Sequence, residues 1–207
     1  MRIILFGLAV WFGCFTTTVL GAGDTPGNAA SSKGSQGSPS LNATQAQPGY
    51  SGPVLIRLRF PRGRAGQSEP LVTTGVTGAG DTVYIYYESD TRVGFGFDHW
   101  GAGGPLSDPF EINPDQAQEI VLSMGSMLPS PAGSGPDAYA TLRRQCLIFL
   151  NGKLALKWSG KFYPASQSQI SVGVNAIGGS TAGPKFSGVI LQVEPIAPEK
   201  LPKIPSG

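Results

Sequence analysis

Along residues 51–195 apolar and polar positions alternate with a period of two. Val54, Ile56, Leu58 and Phe60 are separated by Leu55, Arg57 and Arg59. Val83, Ile85 and Tyr87 alternate with Tyr84 and Tyr86, and Val93, Phe95 and Phe97 with Gly94 and Gly96. A strand turns successive side chains to opposite faces, so each run predicts a strand with one buried face. Further strands are predicted at 70–76, 119–125, 142–150, 153–158, 168–175 and 185–194. Between two of them, Asn151-Gly152 supplies the positive φ angles of a tight hairpin turn. Residues 113–118 are the one stretch with helical character, and they are too short for more than a turn or two. Strands do not alternate with helices, so a parallel sheet built on crossover helices is not expected. The expected fold is all-β, an antiparallel β-sandwich.

One hairpin can be read to the level of register. If the apolar faces of 83–87 and 93–97 are to coincide, Tyr87 must stand opposite Val93, Ile85 opposite Phe95 and Val83 opposite Phe97. A slip of one residue would send the two faces to opposite sides of the sheet. The same register puts Tyr86 opposite Gly94 and Tyr84 opposite Gly96, two rings over a glycine floor, with Asp98, His99 and Trp100 just beyond. Two readings follow. The tyrosines simply cover strand glycines, or Tyr84, Tyr86, Asp98, His99 and Trp100 line a shallow groove in which a sugar ring or another planar partner stacks.

The flanks read differently. Met1-Arg2 precedes an uncharged, largely apolar run over 3–20 and small residues at 21–23. That is the order of a secretory signal, or of an uncleaved membrane anchor, over residues 1–22. Cys14 as a lipidation site fits less well, because Trp11-Phe12 are bulky for a lipobox. Residues 23–50 hold almost no large apolar side chains and predict a flexible linker. Asn42-Ala43-Thr44 in that linker is a glycosylation sequon, meaningful only in a eukaryotic secretory route. The tail at 196–207 carries three prolines and reads as extended and unpacked. The folded unit is 51–195, and the protein is expected outside the cytoplasm, extracellular, periplasmic or anchored facing outward.

Composition narrows the chemistry. Gly (30) and Pro (18) are abundant among 207 residues, yet 40% hydrophobic content supports one core. A net charge of +2 is no nucleic-acid footprint, which needs a concentrated basic face. One His excludes multi-histidine metal sites, and two Cys exclude a disulfide-dense scaffold. Cys146 lies in an apolar run and reads as a buried free thiol. His99 would have to be the base of any Ser-His-Asp arrangement, but no Gly-x-Ser-x-Gly precedes a helix; a hydrogen-bonded loop histidine is the plainer reading. Arg57, Arg59, Arg62 and Arg64 form the one basic cluster. They read as a solvated strand face that discourages edge pairing, or as a contact for an anionic glycan, headgroup or acidic partner. Residues 175–183 (NAIGGSTAG) have neither the Lys-Ser/Thr pair nor the helix of a phosphate loop. They read as a mobile surface loop.

Three short motifs carry a resemblance. Leu147–Lys153 (LIFLNGK), Gln169–Gly173 (QISVG) and Phe186–Ile190 (FSGVI) follow, in order, a pattern seen in the laminin-G-like, concanavalin A-like jelly-roll domains. The glycine-rich 175–183 is similar to the loop before the last strand in uncharacterised bacterial envelope members. The resemblance covers most of 51–195 and implies a jelly-roll β-sandwich and extracellular binding, often of carbohydrate. It admits calcium, although the laminin-type ligands map onto no named positions here, and it implies no other cofactor. The acidic Glu-x-Asp-x-Glu strand of the glucan-cleaving relatives is missing, and Glu88 and Asp90 stand at a turn. The leading expectation is therefore a non-catalytic module that binds carbohydrate or another cell-surface component. The alternative is a structural or assembly protein of the cell envelope; a glycan-cleaving enzyme rests on fold analogy alone.

Overall fold

The computed structural model describes residues 51–129 and 137–204. The expected leader at 1–22, the linker at 23–50, Cys14 and the Asn42 sequon lie outside the described residues.

Ten strands make two five-stranded sheets. They are β1 (Val54–Arg59), β2 (Ser68–Val76), β3 (Ala79–Tyr87), β4 (Arg92–His99), β5 (Phe110–Glu111), β6 (Gln118–Met124), β7 (Gln145–Leu150), β8 (Lys153–Ser159), β9 (Ile170–Val172) and β10 (Val189–Pro195). The first sheet has the order β10-β1-β6-β7-β8 and the second β5-β4-β3-β2-β9. Every pairing is antiparallel. The chain changes sheet after β1, β5, β8 and β9, so the protein is an antiparallel β-sandwich of the jelly-roll kind. Among the described residues there is no α-helix, and so none long and apolar enough to cross a membrane.

The period-two pattern builds the core directly. Val54, Ile56 and Leu58 of β1, Ile120, Leu122 and Met124 of β6, and Cys146 and Ile148 of β7 face Val83 and Ile85 of β3 and Val93, Phe95 and Phe97 of β4; all are fully buried. Each such side chain contributes about 1.5–3 kcal/mol on leaving water. Phe97 packs against Trp158 at 4.4 Å between ring centres and against Phe162 at 5.4 Å. Cys146 is a free buried thiol whose pKa burial raises, so it is inert as a nucleophile at neutral pH.

The β3–β4 hairpin adopts the register required by its two apolar faces, Tyr87 with Val93, Ile85 with Phe95 and Val83 with Phe97. At the β7–β8 turn Asn151 has φ 49° and Gly152 φ 77°, both in the left-handed region that Asn-Gly tolerates.

Four expectations are corrected. Residues 113–118 form a turn, not a helix: the Asn113 side chain accepts the Asp115 amide at 3.0 Å, competing with helical bonding, and Gln118 already belongs to β6. The tail is packed. Ile196, Leu201 and Ile204 lie against Val121, Leu147 and Phe149 on the outer face of the first sheet. An open apolar face is costly, and the nearest covalently attached apolar residues cover it. The basic cluster is not one strand face either. Arg62 pairs with Asp115 at 2.7 Å, and Arg64 turns in to Glu69, leaving exposed Arg57 and Arg59 on β1, which is an interior strand with no edge to protect. Finally, 175–183 is docked on the second sheet, as described below.

Glu69 shows what Arg64 is for. This buried carboxylate accepts the Tyr87 hydroxyl at 3.0 Å, the Ser187 amide at 3.1 Å and the Ser187 hydroxyl at 2.6 Å, with Arg64 Nε at 3.3 Å. Burial, then the Glu69 charge, push the Tyr87 phenol far up. The network ties β2 and β3 to the loop before β10.

Candidate functional site

The outer face of the second sheet carries the side chains that point away from the core. In register across β3 and β4 these are Tyr86 with Gly94, Tyr84 with Gly96 and Thr82 with Asp98. Tyr84 and Tyr86 are both half-buried and lie two residues apart on this one face. The ring of Tyr84 occupies the space above Gly96, where a β-carbon would overlap it. Tyr86 does not cover Gly94 in the same way. The nearest atoms to a β-carbon there would be Leu106 Cδ1 and the Ser107 carbonyl, each at 3.3 Å. They belong to a loop that runs along the edge of β4, with Phe97 donating to the Pro105 carbonyl at 3.0 Å and Ser107 to that of Phe95 at 2.9 Å. The covering of glycines by tyrosine thus holds for Tyr84, while a leucine does that work beside Tyr86.

At the other end of the face the glycine-rich loop crosses β2 and β3. Thr73 Oγ1 donates to the Val174 carbonyl at 3.0 Å, Thr77 Oγ1 to that of Ile177 at 2.7 Å, and the Gly183 amide to that of Ser68 at 2.9 Å. Ile177 is buried against Gly80, where a β-carbon would come within 2.9 Å of it. Thr181 reaches Asp98 and donates to Oδ2 in a short hydrogen bond. A β-carbon on Gly179 would stand 3.3 Å from the Trp100 ring. Tyr84, Tyr86 and Asp98 therefore share one shallow face, bounded by Leu106 on one side and by Thr181, with Trp100 behind it, at the end. Burial, then the Asp98 charge, push the Tyr84 phenol up, keeping it a hydrogen-bond donor at neutral pH.

His99 is not part of that face. It has the opposite phase along β4 and pairs in register with Asp81 at the end of the core. Asp81 is fully buried; its Oδ1 lies 2.6 Å from His99 Nδ1 and its Oδ2 accepts the Tyr163 amide at 3.0 Å. An ionised Asp81 assigns the Nδ1 proton to His99. Burial raises the Asp81 pKa above the ordinary carboxylate range, partly offset by the bonds from His99 and Tyr163. The His99 and Tyr163 rings stack at 4.3 Å and 9°. Two members of a Ser-His-Asp arrangement are present, but Ser126, the serine of this network, approaches Asp81 and accepts from Thr74 Oγ1 at 2.8 Å. A nucleophile would have to sit at Nε2.

Asp81, Tyr163 and Thr181 went unread in the sequence. For Asp81 a signal existed. Extending the β3–β4 register one more inward-facing pair beyond Val83 and Phe97 places Asp81 opposite His99, an acid in an apolar phase facing the only histidine of the chain. Tyr163 and Thr181 come from loops far along the chain and gave none. Glu88 and Asp90 are engaged at the β3–β4 turn, Glu88 with Arg92 at 2.7 Å and Asp90 with the Gly63 amide at 2.7 Å. Among the described residues no three His, Cys, Asp or Glu side chains gather around one point.

A methyl group placed at Gly96 tests the seat of Tyr84. Gly96→Ala is expected to push the ring off the floor and lower stability by about 1–3 kcal/mol, as overpacking does. A urea midpoint equal to that of the parent protein would mean the ring is not held there.

No protein-family model matches the sequence, and no curated protein is similar to it. Solved structures with which the chain shares some likeness include the CBM40 of the Ruminococcus gnavus IT-sialidase bound to α2,3 sialyllactose (14% identity, TM-score 0.43, 74% of this chain and 82% of that one). They also include a heptameric SAP-like pentraxin from Limulus polyphemus (15%, 0.46, 74% and 69%) and sheep galectin-11 in complex with glycerol (15%, 0.38, 69% and 87%). The fold assignment stands on strand order and register, and these likenesses add no argument about function.

Proposed function

We propose that this chain is an exported or membrane-tethered, non-catalytic module that binds carbohydrate or another cell-surface component on the outer face of its second sheet. One observation carries the reading: two partly buried tyrosines stand side by side on that face, one seated on glycine, with the Asp98 carboxylate next in line. Aromatic rings stack on the apolar faces of sugars, and a carboxylate fixed by Thr181 orients hydroxyl groups. The non-catalytic part is supported by the placement of Ser126 on the aspartate side of the histidine and by Asp98 being the one carboxylate of the β3–β4 outer face. A shallow face of this kind binds weakly, on the order of micromolar to millimolar.

Calorimetry against a panel of neutral and acidic glycans tests this. Tyr84→Ala and Trp100→Ala are each expected to weaken binding at least about tenfold, which is roughly 1.4 kcal/mol, with the circular dichroism spectrum retained. Absence of binding across the panel, or affinities that survive both substitutions, would remove the reading. A second reading, an assembly protein of the cell envelope, is favoured by exposed Arg57 and Arg59. It expects a stoichiometric partner that charge reversal at these two positions releases.

A further inference from the structure

The Asp81–His99–Tyr163 cluster has no part in the binding face, yet it grips the backbone that carries Trp100. The Trp100 amide donates to the Gly80 carbonyl at 3.0 Å, one residue from Asp81, and the Trp100 carbonyl accepts the Tyr163 hydroxyl at 3.2 Å. Tyr163 is itself held twice, through its amide on Asp81 Oδ2 and through its ring on His99. Trp100 is thus clamped at both its peptide groups, while its indole faces Gly179 of the docked loop. From this we infer that Asp81, His99 and Tyr163 are positioning residues that set the Trp100 indole at the end of the binding face. The inference deepens the reading above and rests on it for its consequence in ligand binding.

The physical link is short. The Tyr163 ring stacks on that of His99, whose Nδ1 faces a carboxylate that has no exposure to water. Replacing the imidazole removes the ring against which Tyr163 stacks and the partner of Asp81 Oδ1, whose Oδ2 holds the Tyr163 amide. Both changes act on Tyr163, whose hydroxyl bears on Trp100. The groups that face His99 are Asp81 from β3 and Tyr163 from the segment after β8; Cys146 of β7 lies beyond Asp81, and Asp98 is the neighbour on the opposite face of β4.

Fluorine NMR of the full chain labelled with fluorotryptophan reads the indole directly, the Trp100 resonance being assigned by its loss in Trp100→Phe. The expected result is a resonance displaced in His99→Gln, which removes the ring that Tyr163 stacks on. Tyr163→Phe keeps the ring stack and removes only the hydroxyl; it should displace the resonance as well. For a glycan that binds the parent protein, Tyr163→Phe and His99→Gln should each weaken affinity about three- to tenfold. A Trp100 resonance unmoved by His99→Gln, or unmoved by Tyr163→Phe, would overturn the inference. So would glycan affinity identical in both variants and the parent, a result that leaves the binding face itself intact. If no glycan binds the parent, the binding reading fails and the NMR arm alone decides whether the cluster positions Trp100. If Tyr163→Phe does not fold, His99→Gln carries the same test.

Discussion

A chain that ends at Pro195 is expected to lose about 3 kcal/mol of stability and to self-associate. Ile196, Leu201 and Ile204 are partly buried against Val121, Leu147 and Phe149, with Leu55, Leu142 and Leu154 around them. Full burial of an aliphatic side chain is worth about 1.5–3 kcal/mol, and three half-buried ones give roughly half of that each. The backbone bond from Ile196 to the Pro53 carbonyl at 2.9 Å and the contact of the Tyr139 hydroxyl with Glu199 at 3.2 Å go with them. What remains is a sheet face carrying an aromatic ring and several aliphatic side chains in open water, the kind of patch that finds a second copy of itself. Sedimentation velocity and urea unfolding over a range of concentrations would measure both effects. A truncated chain that stays monomeric with an unchanged midpoint would show that the tail covers nothing of consequence. Leu201→Asp together with Ile204→Asp should reproduce the effect in a chain of full length.

The second large effect is expected at Asp81. Asp81→Ala removes the acceptor of the His99 Nδ1 proton and of the Tyr163 amide in a site closed to water. A buried donor left without a partner costs about 1–3 kcal/mol. The loss is therefore about 2–4 kcal/mol near neutral pH, reduced by the carboxylate desolvation that no longer has to be met. Asp81→Asn keeps the shape and one acceptor, and it should cost less. Its pH dependence tests the electrostatics. The folded protein holds the Asp81 proton more tightly than the unfolded chain does, because burial raises the pKa. The contribution of this group to stability is therefore fully present below the ordinary aspartate value of about 4 and is lost as pH rises through the raised folded value. Asparagine has no such term. The stability advantage of the parent over Asp81→Asn should shrink as pH rises from about 4 towards neutrality. An advantage that grows with pH in paired urea titrations would mean that the carboxylate is, on balance, favoured by its surroundings.

Much of the fold was readable because β-structure writes its faces into alternate positions. The buried sets Val54–Ile56–Leu58 and Val93–Phe95–Phe97, the Asn151-Gly152 turn and the full β3–β4 register follow from that alternation and from the backbone freedom of Asn-Gly. Other features left no mark in that alternation. The bulges between Pro70 and Val72, between Ile148 and Phe149 and opposite Arg57–Leu58 shift a ladder by one residue without disturbing the apolar pattern on either side. The two-residue strand β5 is too short to show a period at all. Three prolines made the tail look solvated, although Ile196, Leu201 and Ile204 between and beyond them had a face to cover.

The candidate site divides along the same line. Alternation alone put Tyr84, Tyr86 and Asp98 on one face, and carried further it puts His99 on the other, facing Asp81. Nothing local could bring Thr181 to Asp98, 83 residues earlier, or Tyr163 to Asp81, 82 residues earlier. Those contacts depend on which loops the closed sandwich leaves free to fold over its ends, and on the small residues, Gly80 and Gly96 among them, that leave room for Ile177 and Tyr84 to settle. Side-chain direction along a strand is a property of neighbouring residues and so belongs to the sequence. The pairing of distant loops is decided by packing, since it becomes favourable only once both sheets are in place to be packed against.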